Sequence, residues 1–184
     1  MKKELGVKNC LYPMPVTLIG AEVGGKPNFI TIAHVGIMDF SHVGISMGKT
    51  HYTNAGIKKN GTFSVNIPSV ELVKKVDYCG LVSGSKFDKS AVFETFYGKL
   101  GNAPMVKECP INMECRLEMT VDMPNHDVFV GEIIESYCDE LLLTGEDMVD
   151  FGKAEPILFA MYDKSYFKMG ERFADAWNVG KELL

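Results

Sequence analysis

The densest gathering of chemically useful side chains is Ser46-Met47-Gly48-Lys49-Thr50-His51-Tyr52-Thr53-Asn54. An apolar run ends there and a helix-like segment begins, so the cluster falls at a strand-to-helix corner. A helix N-terminus offers N–H groups without intrahelical acceptors and the positive end of the macrodipole. The hydroxyls of Ser46, Thr50 and Thr53, with Lys49 and His51, surround that end. Donors, dipole and a cation are what a phosphate requires. The same residues also read as an ordinary helix start, with Thr53 as N-cap and Lys49 as a solvated charge. Both readings stand at this point.

Ser83-Gly84-Ser85-Lys86 is a second polar loop that either grips an anion or is plain surface. His126 sits in the turn Pro124-Asn125-His126-Asp127, where a histidine is often idle. His34 and His42 bracket a loop between strands and read as structural. The chain contains no His-Glu-x-x-His pair, so no metal site is expected. Cys79 is the thiol nearest the corner, and a buried, inert state suits it. The methionines read as core filler.

The elements that must position these residues are mostly strands. Pro15 to Val23, Phe29 to Ile37, Val43 to Met47 and Thr62 to Ile67 are apolar or alternating runs bounded by turn residues. Ile111, Met113, Cys115, Leu117, Met119 and Val121 share one face of the clearest strand, and Val128 to Tyr137 returns beside it after a turn at Met123 to Asp127. Leu141 to Leu143 and Pro156 to Tyr162 read as further strands. Asn54 to Asn60 reads as a helix with Thr53 as cap, Tyr52 and Ile57 as a staple, Lys58 and Lys59 in the last turn, and Gly61 as the left-handed closing residue. Val70 to Tyr78 reads as a second helix capped by Ser69. Glu171 to Leu184 is a tail that suits a short helix packed on a neighbour or another subunit. An antiparallel, closed or partly closed barrel removes sheet edges at this size.

At 184 residues the chain suits one domain, and 46% hydrophobic residues fill a core. A net charge of −5 argues against a nucleic-acid surface. Five cysteines without a Cys-x-x-Cys spacing suit reduced thiols, and no run approaches the ~20 apolar residues of a membrane span. A cytoplasmic protein is the expectation, with no membrane and no nucleic-acid partner.

Four segments in order, PNFITIAHVGIMDF, VGISMGKTHYTNAGIKKNGTFSVNIPS, DYCGLVSGSKFDK and NHDVFVGEII, resemble the flavin reductase-like, FMN-binding split-barrel family, in its flavoredoxin branch. The resemblance spans roughly residues 10 to 170. It implies a mainly β, antiparallel split β-barrel of Greek-key type, one domain over residues 1–184, assembled as a homodimer that binds FMN rather than FAD near the subunit interface. It implies that Asn28, Thr31, Ile32 and Ala33 run beside the flavin ring. Ser46, Met47, Lys49, His51 and Thr53 match the stretch that takes the ribityl chain and phosphate, and Ser83 and Lys86 lie in a loop near the cofactor. His126 matches a histidine on the nicotinamide side, although Pro-Asn-His stands here where the family often has Gly-Asp-His. The implied activity is an oxidoreductase passing electrons from NAD(P)H through flavin to an acceptor. A flavoredoxin-like carrier reduced by a redox-protein partner and a non-catalytic FMN-binding dimer are the alternatives.

Overall fold

Apolar residues at every second position bury one face of a strand, and the long alternating run at Ile111 seeds the barrel. The computed structural model describes residues 1–145 and 147–184. In chain order its elements are β1 (Met14–Pro15), β2 (Thr17–Val23), β3 (Lys26–Ile32), β4 (Val35–Asp39), β5 (His42–Gly48), α1 (Tyr52–Asn60), β6 (Thr62–Ile67), α2 (Val73–Leu81), β7 (Thr95–Phe96), β8 (Met105–Val106), β9 (Ile111–Asp122), β10 (His126–Cys138), α3 (Phe151–Ala154), β11 (Ile157–Ala160) and β12 (Ser165–Lys168).

Seven strands form one sheet in the order β3-β2-β6-β9-β10-β5-β4, and every pair is antiparallel. The outermost strands, β3 and β4, are consecutive in the chain and separated only by Ala33 and His34. The chain thus joins the sheet's two ends, and the Ser46 N–H donates to the His34 carbonyl at 2.8 Å, extending the β4–β5 ladder up to the join. The result is a split barrel of Greek-key type, with few free edges. Its interior holds Ile19, Ile45, Met47, Phe63, Val65, Cys115 and Phe129, all fully buried. A second core under α2 gathers Val16, Leu18, Phe29, Val76, Cys79 and Phe93. A small sheet, β1-β11-β12, lies beside it.

The structure revises several expected boundaries. The run Phe29 to Ile37 is two strands, because the chain must bend at Ala33-His34 to close the barrel. Helix α1 begins at Tyr52 with His51 in the N-cap position, so Thr53 lies inside the helix and is not its cap. Gly61 does close α1 at φ 65°, its N–H donating to the Ile57 carbonyl. The second helix starts as a 3-10 turn at Val70–Leu72, and α2 proper runs to Leu81. Glu140–Leu142 is a 3-10 turn, not a strand. The tail forms only the 3-10 turn Val179–Leu183, with Phe173 and Trp177 exposed. Met119 and Val121 share the alternation of β9 but are exposed, since β9 extends past the barrel core.

Candidate functional site

The bend that closes the barrel also opens a cleft. Ala33 and His34 leave the sheet, the end of β5 runs alongside, and α2 with the small sheet forms the far wall. The cleft measures about 420 Å³. Its floor is Thr31, Ile32, Ala33, Ser46 and Gly48, and His34, His51 and His126 stand around it. Asp77, Gly80 and Leu81 of α2 line it opposite Phe159 and Tyr166 of the small sheet and Met161 and Lys164 of the β11–β12 turn.

Each wall is tied down by a specific contact. The Thr31 hydroxyl donates to the Val76 carbonyl, which fastens β3 to α2. The Tyr166 hydroxyl donates to Asp77 Oδ1 at 2.8 Å. Burial, and then this bond, push the Tyr166 phenol up to about 12. The Tyr12 hydroxyl meets His34 Nε2 at 2.8 Å. The His34 and His126 rings lie 6.3 Å apart, tilted by 53°. Burial first, and then His126, hold the His34 ring below the ordinary histidine range. Burial lowers His51 as well, followed by His126 and Lys89. His51 Nδ1 is buried and has no hydrogen-bond partner among the described residues. A buried ring nitrogen without a partner invites a ligand.

The structure brings together half of the expected site. Thr31, Ile32, Ala33, Ser46, His51 and His126 line the cleft. The other expected residues sit elsewhere. Met47 alternates with Ser46 along β5, so its side chain points into the barrel core and is fully buried. The Lys49 ammonium is ion-paired with Asp122 on the β9–β10 hairpin. Asn28 Nδ2 donates to Thr53 Oγ1 at 2.7 Å, and both side chains are buried. Thr53 therefore links α1 to β3 rather than capping the helix. Gly84 presses on this pair so closely that a Cβ there would stand 2.1 Å from Asn28 Oδ1. Ser83 Oγ bonds Ser85 Oγ at 2.9 Å. Lys86 and Asn28 border a smaller polar cleft of about 250 Å³, beside Tyr52 and Lys89.

Sequence reasoning missed several residues of the site. Lys89 is buried, and its ammonium donates to the carbonyls of Cys79 at 3.1 Å and Val82 at 3.0 Å, closing the end of α2. His34 was expected to be structural, yet it lines the cleft. Asp77, Lys164 and Tyr166 come from segments more than 20 residues from the corner. The thiols match the inert reading: burial pushes Cys79 up to about 11 and Cys115 to about 12. Among the described residues no cluster of three His, Cys, Asp or Glu is placed to hold a metal ion, and no helix is long and apolar enough to cross a membrane.

Chemically, the cleft has apolar walls for a flat ring and a polar, histidine-bearing side for hydrogen-bonding or anionic groups. Its volume lies in the ~300–1,000 Å³ range of small-molecule and cofactor sites. The family described as "Flavin reductase like domain" matches residues 9–160. Flavoredoxin from Methanosarcina acetivorans is 45% identical, with all of both chains covered and a TM-score of 0.95. Flavoredoxin of Desulfovibrio vulgaris (Miyazaki F) is 33% identical, covering 98% of this chain and 100% of its own, with a TM-score of 0.91. An uncharacterised Archaeoglobus fulgidus protein is 32% identical over 168 residues, 89% of this chain and 93% of its own length.

Proposed function

The chain belongs to the flavin reductase-like domain family, and on that premise we propose that it binds FMN in the barrel-end cleft and works as an electron-transferring oxidoreductase. The observation that carries this reading is the convergence, on one apolar-walled cleft, of the Ala33–His34 bend, Ser46 and the unpartnered His51 Nδ1 at the start of α1. FMN would supply the redox chemistry when bound, accepting a hydride from NAD(P)H and passing electrons to an acceptor.

The chain's own residues bind and orient. Ile32, Phe159, Leu81 and Met161 supply apolar surface for a ring. The Ile32 carbonyl accepts from the Thr17 hydroxyl at 2.8 Å, so the Ala33 backbone, beyond the last strand pair Thr17↔Ile32, is the group placed to meet the ring's polar edge. Ser46, His51 and the N-terminus of α1 are the donors for the phosphate-bearing end, with Lys86 and Ser83 in the adjoining loop as a further contact. Thr31 is engaged with α2, so its role is to hold the wall. His126 borders the side open to a nicotinamide.

The visible spectrum of the purified chain, followed by anaerobic NADH and NADPH, tests this. A flavin spectrum bleached by either nucleotide supports the reductase. A colourless chain that ignores added FMN refutes flavin binding. A second reading, a carrier reduced by a redox-protein partner, is favoured by the likeness to two flavoredoxins. In that case a ferredoxin-type donor reduces the bound flavin and the nicotinamides do not. A homodimer is part of the proposal, supported by exposed Phe173, Trp177, Leu183 and Leu184 on the tail. Light scattering at the mass of one chain would refute it.

A further inference from the structure

Tyr12, His34 and His126 form a row of polar groups: His34 and His126 line the cleft, and Tyr12 lies behind His34. Tyr12 comes from the N-terminal arm, His34 from the bend between β3 and β4, and His126 from the start of β10. The Tyr12 hydroxyl and His34 Nε2 are 2.8 Å apart, and the two imidazoles are 6.3 Å centre to centre. His34 and Ser46 also border a neighbouring apolar cleft of about 300 Å³, lined by Tyr12, Leu11, Met14 and Val128. His34 thus borders both cavities.

The charged groups around this row leave it without a carboxylate. Asp77, across the main cleft, accepts from Tyr166. Asp127 follows His126 in the strand and so faces the other side, where Lys58 donates to it at 2.7 Å and Asn54 at 3.5 Å. Glu118 bonds His42, a histidine outside the cleft. Lys164 lines the cleft from the β11–β12 turn, and His51 stands at the start of α1. Among the described residues His34 has Tyr12 as its hydrogen-bond partner and neither ring pairs with an acid. Two imidazoles this close repel one another when both are charged.

We propose that this row handles protons for the redox reaction: Tyr12 fixes the tautomer of His34, and His34 and His126 together take up one proton when negative charge enters the cleft. The inference rests on the flavin reading above. Two electrons and one proton added to a neutral ring system leave one negative charge. The pair takes one further proton from solvent to balance it and returns that proton on reoxidation. His34 acts through His126 and is a positioning residue. With the Tyr12 O–H donating to Nε2, its ring carries hydrogen on Nδ1.

The test is ring-nitrogen NMR of the full chain labelled at histidine, titrated across the range of about pH 5 to 8 in which histidine changes charge. It is run without FMN, with FMN, and with FMN reduced by dithionite. The expected results are an Nδ1–H signature for His34, a two-step titration shared with His126, and an upward shift of the pair's first step on reduction. His126→Gln removes one step and shifts the His34 midpoint upward. Tyr12→Phe, which keeps the ring and its packing, mixes the His34 tautomers. An unmoved His34 midpoint in His126→Gln, unmixed tautomers in Tyr12→Phe, or no shift on reduction overturns the proposal. Failure to bind FMN overturns the flavin reading instead, and the titration of the FMN-free chain still decides the coupling of the pair.

Discussion

Glu114 gives the sharpest test of the physical reasoning. Its carboxylate is fully buried in β9, yet no cation neutralises it directly among the described residues. It is held by three donors: the Lys99 N–H at 2.7 Å and the Tyr137 hydroxyl at 2.7 Å on Oε1, and the Leu100 N–H at 2.8 Å on Oε2. Glu114→Gln keeps the shape and one acceptor oxygen. The better orientation retains the two bonds on Oε1 and turns the new amide N–H₂ against the Leu100 N–H. One charge-assisted bond is lost, worth about 1.5–3 kcal/mol, and the part-buried Leu100 N–H is left without its acceptor, worth about 1–3 kcal/mol. The expected destabilisation is therefore about 2.5–6 kcal/mol. At about 2–4 °C per kcal/mol for a chain of this size, the melting temperature falls by roughly 5–24 °C. Urea unfolding and thermal melts at neutral pH measure both. Tyr137→Phe removes one bond and leaves no buried donor behind, so it costs less than Glu114→Gln. A Gln variant that melts within a degree of the parent, or a Phe variant that is the more destabilised, would falsify this assignment of the buried acid.

Three further outcomes follow from the site. Lys49→Ala should leave FMN affinity within about twofold, because its ammonium belongs to Asp122; His51→Ala should weaken it by about tenfold or more, as loss of a 1.5–3 kcal/mol contact implies. Fluorescence titration of FMN separates the two, and equal losses would return Lys49 to the phosphate site. Gly84→Ala places a Cβ 2.1 Å from Asn28 Oδ1 and 2.7 Å from Tyr52 Cδ1, so the loop must move; the expected cost is about 1–3 kcal/mol, and an unchanged denaturation midpoint would show that the loop has room. His34 and His51 titrate below the ordinary histidine value in the folded chain. The unfolded chain then binds more protons as pH falls through about 6.5, so their stabilising contribution is complete above that value and is lost as pH drops through the lowered folded values. Melting temperature should fall from pH 7 to pH 5, and less steeply in His34→Gln; identical slopes would argue against the buried rings.

Local pattern was enough for the elements whose order is written in neighbouring residues. Thr62–Ile67 and Ile111–Asp122 alternate with the strand period and form strands over those spans. Gly61 takes the positive φ that closes α1, with Lys58 and Lys59 in the last turn, because only local sterics and the helix dipole are involved. The four quoted segments were enough to place the chain in its family and its barrel. The candidate cleft was legible only where it coincides with those segments: Thr31, Ile32, Ala33, Ser46, His51 and His126.

The rest required the closed barrel. Whether Met47 or Ser46 faces the cleft depends on which side of β5 meets the core, and that is set by pairing with β4 and β10 across the sheet. Thr53 reads as a cap until Asn28, 25 residues earlier, reaches its hydroxyl. Lys49 reads as a free cation until the hairpin tip brings Asp122 to it. His34 joins Tyr12 and His126 only because β3 and β4 end at the seam where the sheet closes. The sequence by itself determined the periodic elements and their family. Long-range pairing decided which polar groups are already engaged and which remain available to a ligand, because a hydrogen bond or ion pair depends on neighbours in space that no local pattern encodes.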